Sequence, residues 1–170
     1  MNRILKIRIW LIIFIIGLAI SGITAFPLQW ELGILNQYIG MGSAIEPIAP
    51  DLSKWISYVN EGLINTNQDY PFISYGTDWL AFAHIVLAIL FIGPLIDPVK
   101  NIWVIQFGII SCVLVFPLAL ICGPIRGIPF YWQLIDCSFG LFGAVPLLIV
   151  YSHIKKLTLQ TTNEHTQKPE

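Results

Sequence analysis

The chain has 170 residues, 56% of them hydrophobic and only 11% charged, with a net charge of −1. A mean hydropathy of +0.74 means more apolar surface than a soluble domain can hide, so an integral membrane protein is expected. The near-neutral charge argues against a nucleic-acid partner, which needs a basic patch.

Arg3, Lys6 and Arg8 precede an apolar run from Ile9 to about Ile23. A secretory signal has the same order of parts, and Ile23-Thr24-Ala25 would pass as its cleavage site. Signal cores are about 7–15 residues long, whereas this run is about as long as a membrane span. The first span is therefore predicted over about 7–26. Residues 27–76 then carry acids, prolines and asparagines. Two helical patterns persist there, Leu28/Leu32/Leu35/Ile39 and Leu52/Trp55/Ile56/Val59/Leu63, with Asp51 in place as an N-cap after Pro50. Both are too short and too polar to span. With Trp30, Tyr38, Trp55 and Tyr58 they read as amphipathic helices lying on the membrane or capping the bundle. GMGSAIEPIAP reads as a loop and NTNQDYPF as a turn cluster.

The second span is expected over about 77–97, with Thr77 as N-cap, Asp78 in the first turn, and Gly93-Pro94 and Asp97-Pro98 as stops. Asp97, beside Lys100, reads as a helix-end turn. The third span covers about 102–122 with Pro117 inside it. The fourth covers about 129–154, opened by Pro129 and closed at Lys155-Lys156. Residues 155–170 read as a polar, disordered cytoplasmic tail. The predicted fold is thus an all-α integral membrane protein. It is one transmembrane domain over 1–154, a four-helix bundle whose outward cap, 27–76, holds two amphipathic interfacial helices.

Orientation follows the Lys and Arg near span ends. One side receives Arg3, Lys6, Arg8, Lys100, Lys155 and Lys156; the other receives Lys54 and Arg126. Both termini are expected in the cytoplasm and the location is expected to be a cell membrane, a bacterial inner membrane.

Intramembrane ionisable groups are costly and mark candidate sites. His84 lies on a seam with Thr77, Ala81, Ala88 and Phe91, whose small residues mark a close helix approach. Asp136 shares a face with Gly140 and Gly143 at i, i+4, i+7. Each is seven residues from the predicted start of its helix, roughly 10 Å at about 1.5 Å per residue. The two therefore read as a pair, with Asp78, Arg126, Tyr131, Trp132 and Gln133 ringing the mouth above. The same pair could be structural, each group satisfying the other, with Arg126 neutralising Asp78 or Asp136.

Other chemistries fit less well. His84 and His153 stand near opposite ends of their spans, so one chain cannot hold a b-type haem between them. Ser138, two residues from Asp136, points to another helix face and makes no hydrolase triad. Cys112, Cys122 and Cys137 have no metal-type spacing, and nothing activates the thiols of Cys122 and Cys137 as a redox pair. Trp79, Trp103, Trp132 and Tyr151 read as interface anchors. No cofactor and no metal are expected. The function this predicts is a non-enzymatic membrane protein with an outward-facing polar pocket, binding a ligand or serving as a subunit of a larger complex. Its partners would be membrane lipid, other membrane subunits or a second copy. The alternatives are a membrane enzyme acting on a lipid-like substrate, with His84 as acid/base oriented by Asp136, and a dimeric proton-coupled carrier.

Overall fold

The computed structural model describes residues 2–166, with the side chains of 161–166 left out. It is 85% helix, with no strand among the described residues. The helices are α1 (Arg3–Ala25), α2 (Leu28–Ile39), α3 (Pro50–Asp69), α4 (Pro71–Leu90), α5 (Ile92–Ile96), α6 (Ile102–Ile125) and α7 (Phe130–Thr166). Four stretches are long and apolar enough to cross a membrane: Arg3–Ala25, Pro71–Ile96, Ile102–Ile125 and Phe130–Gln160.

Several boundaries differ from the sequence reading. The second apolar helix starts at Pro71, not near Thr77, so Thr77 is no N-cap and Asp78 is not in a first turn. The Thr77 hydroxyl instead donates to the Ser74 carbonyl at 2.6 Å. NTNQD is the last turn of α3, not a turn cluster; Tyr70 alone leaves the helix, because the residue before a proline is pushed out of the helical region. Pro50 takes the first position of α3 and Ala49 caps it, which places Asp51 inside the first turn. Pro94 has no N–H to give the Leu90 carbonyl, and the helix breaks between Leu90 and Ile92. The α7 helix continues well past Ile154 to Thr166, where a disordered tail was expected; residues 167–170 lie outside the described residues.

Helix α6 runs to Ile125, one turn beyond the predicted end. Gly127, at φ +69°, closes it in the left-handed region that glycine enters without strain. The Ile128 N–H reaches the Gly123 carbonyl at 3.0 Å and the Gly127 N–H reaches Pro124 at 3.1 Å. This is the paired-bond termination that satisfies the last carbonyls of a helix.

The chain divides into two compact units, residues 18–87 and residues 1–17 with 88–170. In the second unit, Ile7, Leu11, Ile105, Leu147, Val150 and Ile154 are fully buried. The rings of Phe14 and Phe91 lie 4.7 Å apart, and Gly108 leaves the room that Phe91 and Leu147 fill. The Gly140/Gly143 seam of α7 faces α6: a Cβ on Gly143 would touch the Cys112 sulfur. In the 18–87 unit, α2 and α3 form a hairpin. The Ser57 hydroxyl donates to Asn36 Oδ1 at 2.7 Å and accepts the Met41 N–H at 2.9 Å. The apolar stripes of both helices are their less exposed faces, whereas Trp30, Ile34 and Tyr38 stand outward in a row along α2.

Candidate functional site

Four helix ends meet in the 18–87 unit, because its links are short. Phe26 and Pro27 join α1 to α2, and Tyr70 alone joins α3 to α4. Helix ends leave backbone groups unsatisfied, and polar side chains collect there. Asn67, in the last turns of α3, accepts from the Ser74 hydroxyl of α4 through Oδ1 and donates through Nδ2 to Gln29 Oε1 of α2. One asparagine thus ties three helices. With the Thr77 hydroxyl on the Ser74 carbonyl, the polar chain runs from α2 to the second turn of α4.

This chain forms one wall of a cavity of about 480 Å³. Gln29, Asn67, Ser74, Thr77 and Asp78 supply its polar lining; Phe26, Pro27, Leu28, Trp30 and Leu63 supply the apolar part. Asp78 is half-buried and has no hydrogen-bond or ion-pair partner within its unit. Among the described residues its carboxylate is the single charged group of the lining.

His84 stands two turns further along α4, on the face of Thr77. A Cβ built on Gly22 of α1 would lie 2.8 Å from the Ala81 carbonyl oxygen and 3.1 Å from His84 Cβ. Ala81 is fully buried, so the small-residue seam does mark a close helix approach. His84 Nδ1 is 2.7 Å from the Leu80 carbonyl oxygen. A carbonyl only accepts, so Nδ1 carries the hydrogen, and in the neutral ring Nε2 keeps its lone pair.

The other sequence-predicted residues belong to the second unit. Arg126 is exposed and caps the C-terminus of α6, where a cation suits the helix dipole; it makes no ion pair with Asp136. Gln133 is buried and donates to the Ile128 carbonyl at 2.8 Å, with its side chain against Gly123. It clasps the α6–α7 connection. Tyr131 and Trp132 sit in the first turn of α7. Asp136 is half-buried, with no hydrogen-bond or ion-pair partner among the described residues of its unit. Cys122 is exposed and Cys137 buried, both as free thiols. The depth count behind His84 and Asp136 took Thr77 as a helix start. From Pro71, His84 lies thirteen residues in, about 20 Å, and Asp136 lies six residues from Phe130, about 9 Å.

Gln29, Asn67 and Ser74 escaped the sequence reading, which placed Asn67 in a turn. The legible signal was amides and hydroxyls at helical spacing, Gln29 and Asn36 on one helix and Ser57, Asn60 and Asn67 on the other. No three His, Cys, Asp or Glu side chains among the described residues gather as a metal ion would require.

Fold and site together define an all-helical protein with four helices fit to cross a membrane and a mixed polar–apolar cavity at a convergence of helix ends. The sequence matches no protein-family model and no curated protein, and the chain matches no solved structure.

Proposed function

We propose that this is a multi-pass membrane protein that binds a small amphiphile in its 18–87 unit without converting it chemically. The observation that carries the reading is the cavity at the helix ends, apolar on one wall and hydrogen-bonding on the other, with a carboxylate that has no partner in its unit. Pockets of several hundred cubic ångströms with few convergent polar groups suit a small ligand. The Lys/Arg asymmetry supports an outward position for the segment between the first two apolar helices, with both termini inside. Only two residues separate α1 from α2, so α2 starts where the first apolar helix ends. The outward row of Trp30, Ile34 and Tyr38 then suits the headgroup region, and an amphiphile would reach the cavity from the lipid. Native mass spectrometry of the protein released from detergent tests this. A co-purifying amphiphile is expected, and Leu63→Trp, which fills the cavity, should lose it. The same adduct in both proteins, or none in either, would overturn the reading.

One observation favours a second reading, a membrane enzyme with His84 as acid/base. The Leu80 carbonyl fixes the Nδ1–H tautomer and leaves Nε2 as a base. In that case His84→Gln abolishes turnover of a lipid-like substrate while the cavity still binds it.

A further inference from the structure

We infer that the cavity takes an ammonium group, with Asp78 as its counter-ion. This rests on the pocket reading above and adds the chemistry of the ligand.

Asn67 is engaged at both ends, Gln29 through its carbonyl, and the Ser74 and Thr77 hydroxyls each through their hydrogen. Breaking any of these to serve a ligand would strand a partner, at the cost of an unmade hydrogen bond. Asp78 is the charged lining group and neither of its carboxylate oxygens is spent, whereas what remains on the others, the Gln29 amide N–H groups and the hydroxyl lone pairs, is neutral. An ionised carboxylate only accepts hydrogen bonds, so what it holds must donate. Among the described residues, no Lys, Arg or His lines the cavity to balance its charge or to receive an anion. A phosphate or carboxylate ligand would therefore meet repulsion, while a cation meets the one strong, charge-assisted contact available. Trp30, largely exposed, stands at the rim of the cavity, and an indole π-face attracts an ammonium group. Phe26, Leu28 and Leu63 leave an apolar wall for a short chain. The shared chemistry is an ammonium group with an apolar tail, whether from an amine-headed lipid or a free alkylamine.

The test uses the full chain in non-ionic detergent, labelled with 5-fluorotryptophan, the Trp30 resonance being assigned with Trp30→Phe. Octylamine should shift that resonance saturably, and octanol only weakly. Asp78→Asn, which keeps the side-chain size, should weaken octylamine by about tenfold or more, the worth of one hydrogen bond to a charged group. Asp78→Glu should retain most of the binding, and far-UV circular dichroism should be unchanged in both. Vesicles rich in phosphatidylethanolamine that displace octylamine identify a lipid source. Failure to displace identifies a free amine, and either result supports the ammonium site. Equal shifts by amine and alcohol, indifferent to Asp78→Asn, would overturn this inference and leave the pocket standing. No Trp30 shift with either probe would overturn the pocket as well.

Discussion

A Cβ placed on Gly140 of α7 would stand 2.5 Å from the carbonyl oxygen of Cys112 on α6. Backbone atoms cannot step aside as a side chain can, so this is a contact only glycine permits. We expect Gly140→Ala to destabilise the protein by about 1–3 kcal/mol, the usual range for overpacking. Gly62, inside α3, has open space around it, and Gly62→Ala should be neutral or stabilising by up to about 1 kcal/mol through helix propensity. Unfolding in detergent by a denaturant series measures both. Equal effects at the two positions would contradict the close approach.

The α6–α7 connection depends on one backbone conformation and one amide. Gly127→Ala forces a Cβ into the left-handed region, at a cost of about 1–2 kcal/mol. Gln133→Leu leaves the Ile128 carbonyl without its side-chain donor, at a cost of about 1–3 kcal/mol if the group stays dry. Amide exchange across 127–134 should quicken in both variants and stay unchanged across 50–69.

Asn67→Ala should loosen three helices at once. It leaves the Gln29 carbonyl and the Ser74 hydroxyl without their shared partner. Faster amide exchange is expected at the start of α2 and in the first two turns of α4, with the Asn36–Ser57 end of the hairpin protected. A change confined to α3 would mean that the polar chain does not couple the helices.

Topology is open to labelling. In a Cys122→Ala background, which removes the exposed native thiol, Gly42→Cys and Gly127→Cys should react with an impermeant maleimide from outside. Lys100→Cys and Lys156→Cys, at exposed positions, should react only after the membrane is opened. Outside labelling at position 100 would reverse the proposed orientation.

Asp97 offers a check by pH. The Lys100 backbone N–H donates to its carboxylate at 3.1 Å and the Lys100 ammonium stands 3.5 Å away, which together hold its pKa below the ordinary carboxylate value. A lowered pKa means that the turn has its full ion-pair contribution above the ordinary value and loses it as pH falls through the lowered one. A carbon-13 titration of the Asp97 carboxyl should show a midpoint below that of an exposed aspartate, and Lys100→Ala should move it upward.

The four apolar stretches were determined by the sequence alone, because length and uninterrupted hydropathy need no knowledge of neighbours. The same is true of seams. Ala81 and His84 against Gly22, and Gly140 against Cys112, lie where small residues at helical spacing said helices would close. Helix ends were harder to read. Asn65-Thr66-Asn67 resembles a turn by composition, yet α3 carries through it, since Asn67 bonds to two other helices and so offsets its weak propensity. Thr77 has the chemistry of a cap, but Pro71 had already opened the helix six residues earlier. What only the tertiary structure decided was the company each polar group keeps. It gave Gln133 to a connection and Asp78 to a cavity, two roles that their places in the linear chain do not distinguish. Hydrogen-bond satisfaction depends on which helix ends converge, and the one-residue and two-residue links at Tyr70 and Phe26–Pro27 set that convergence in space.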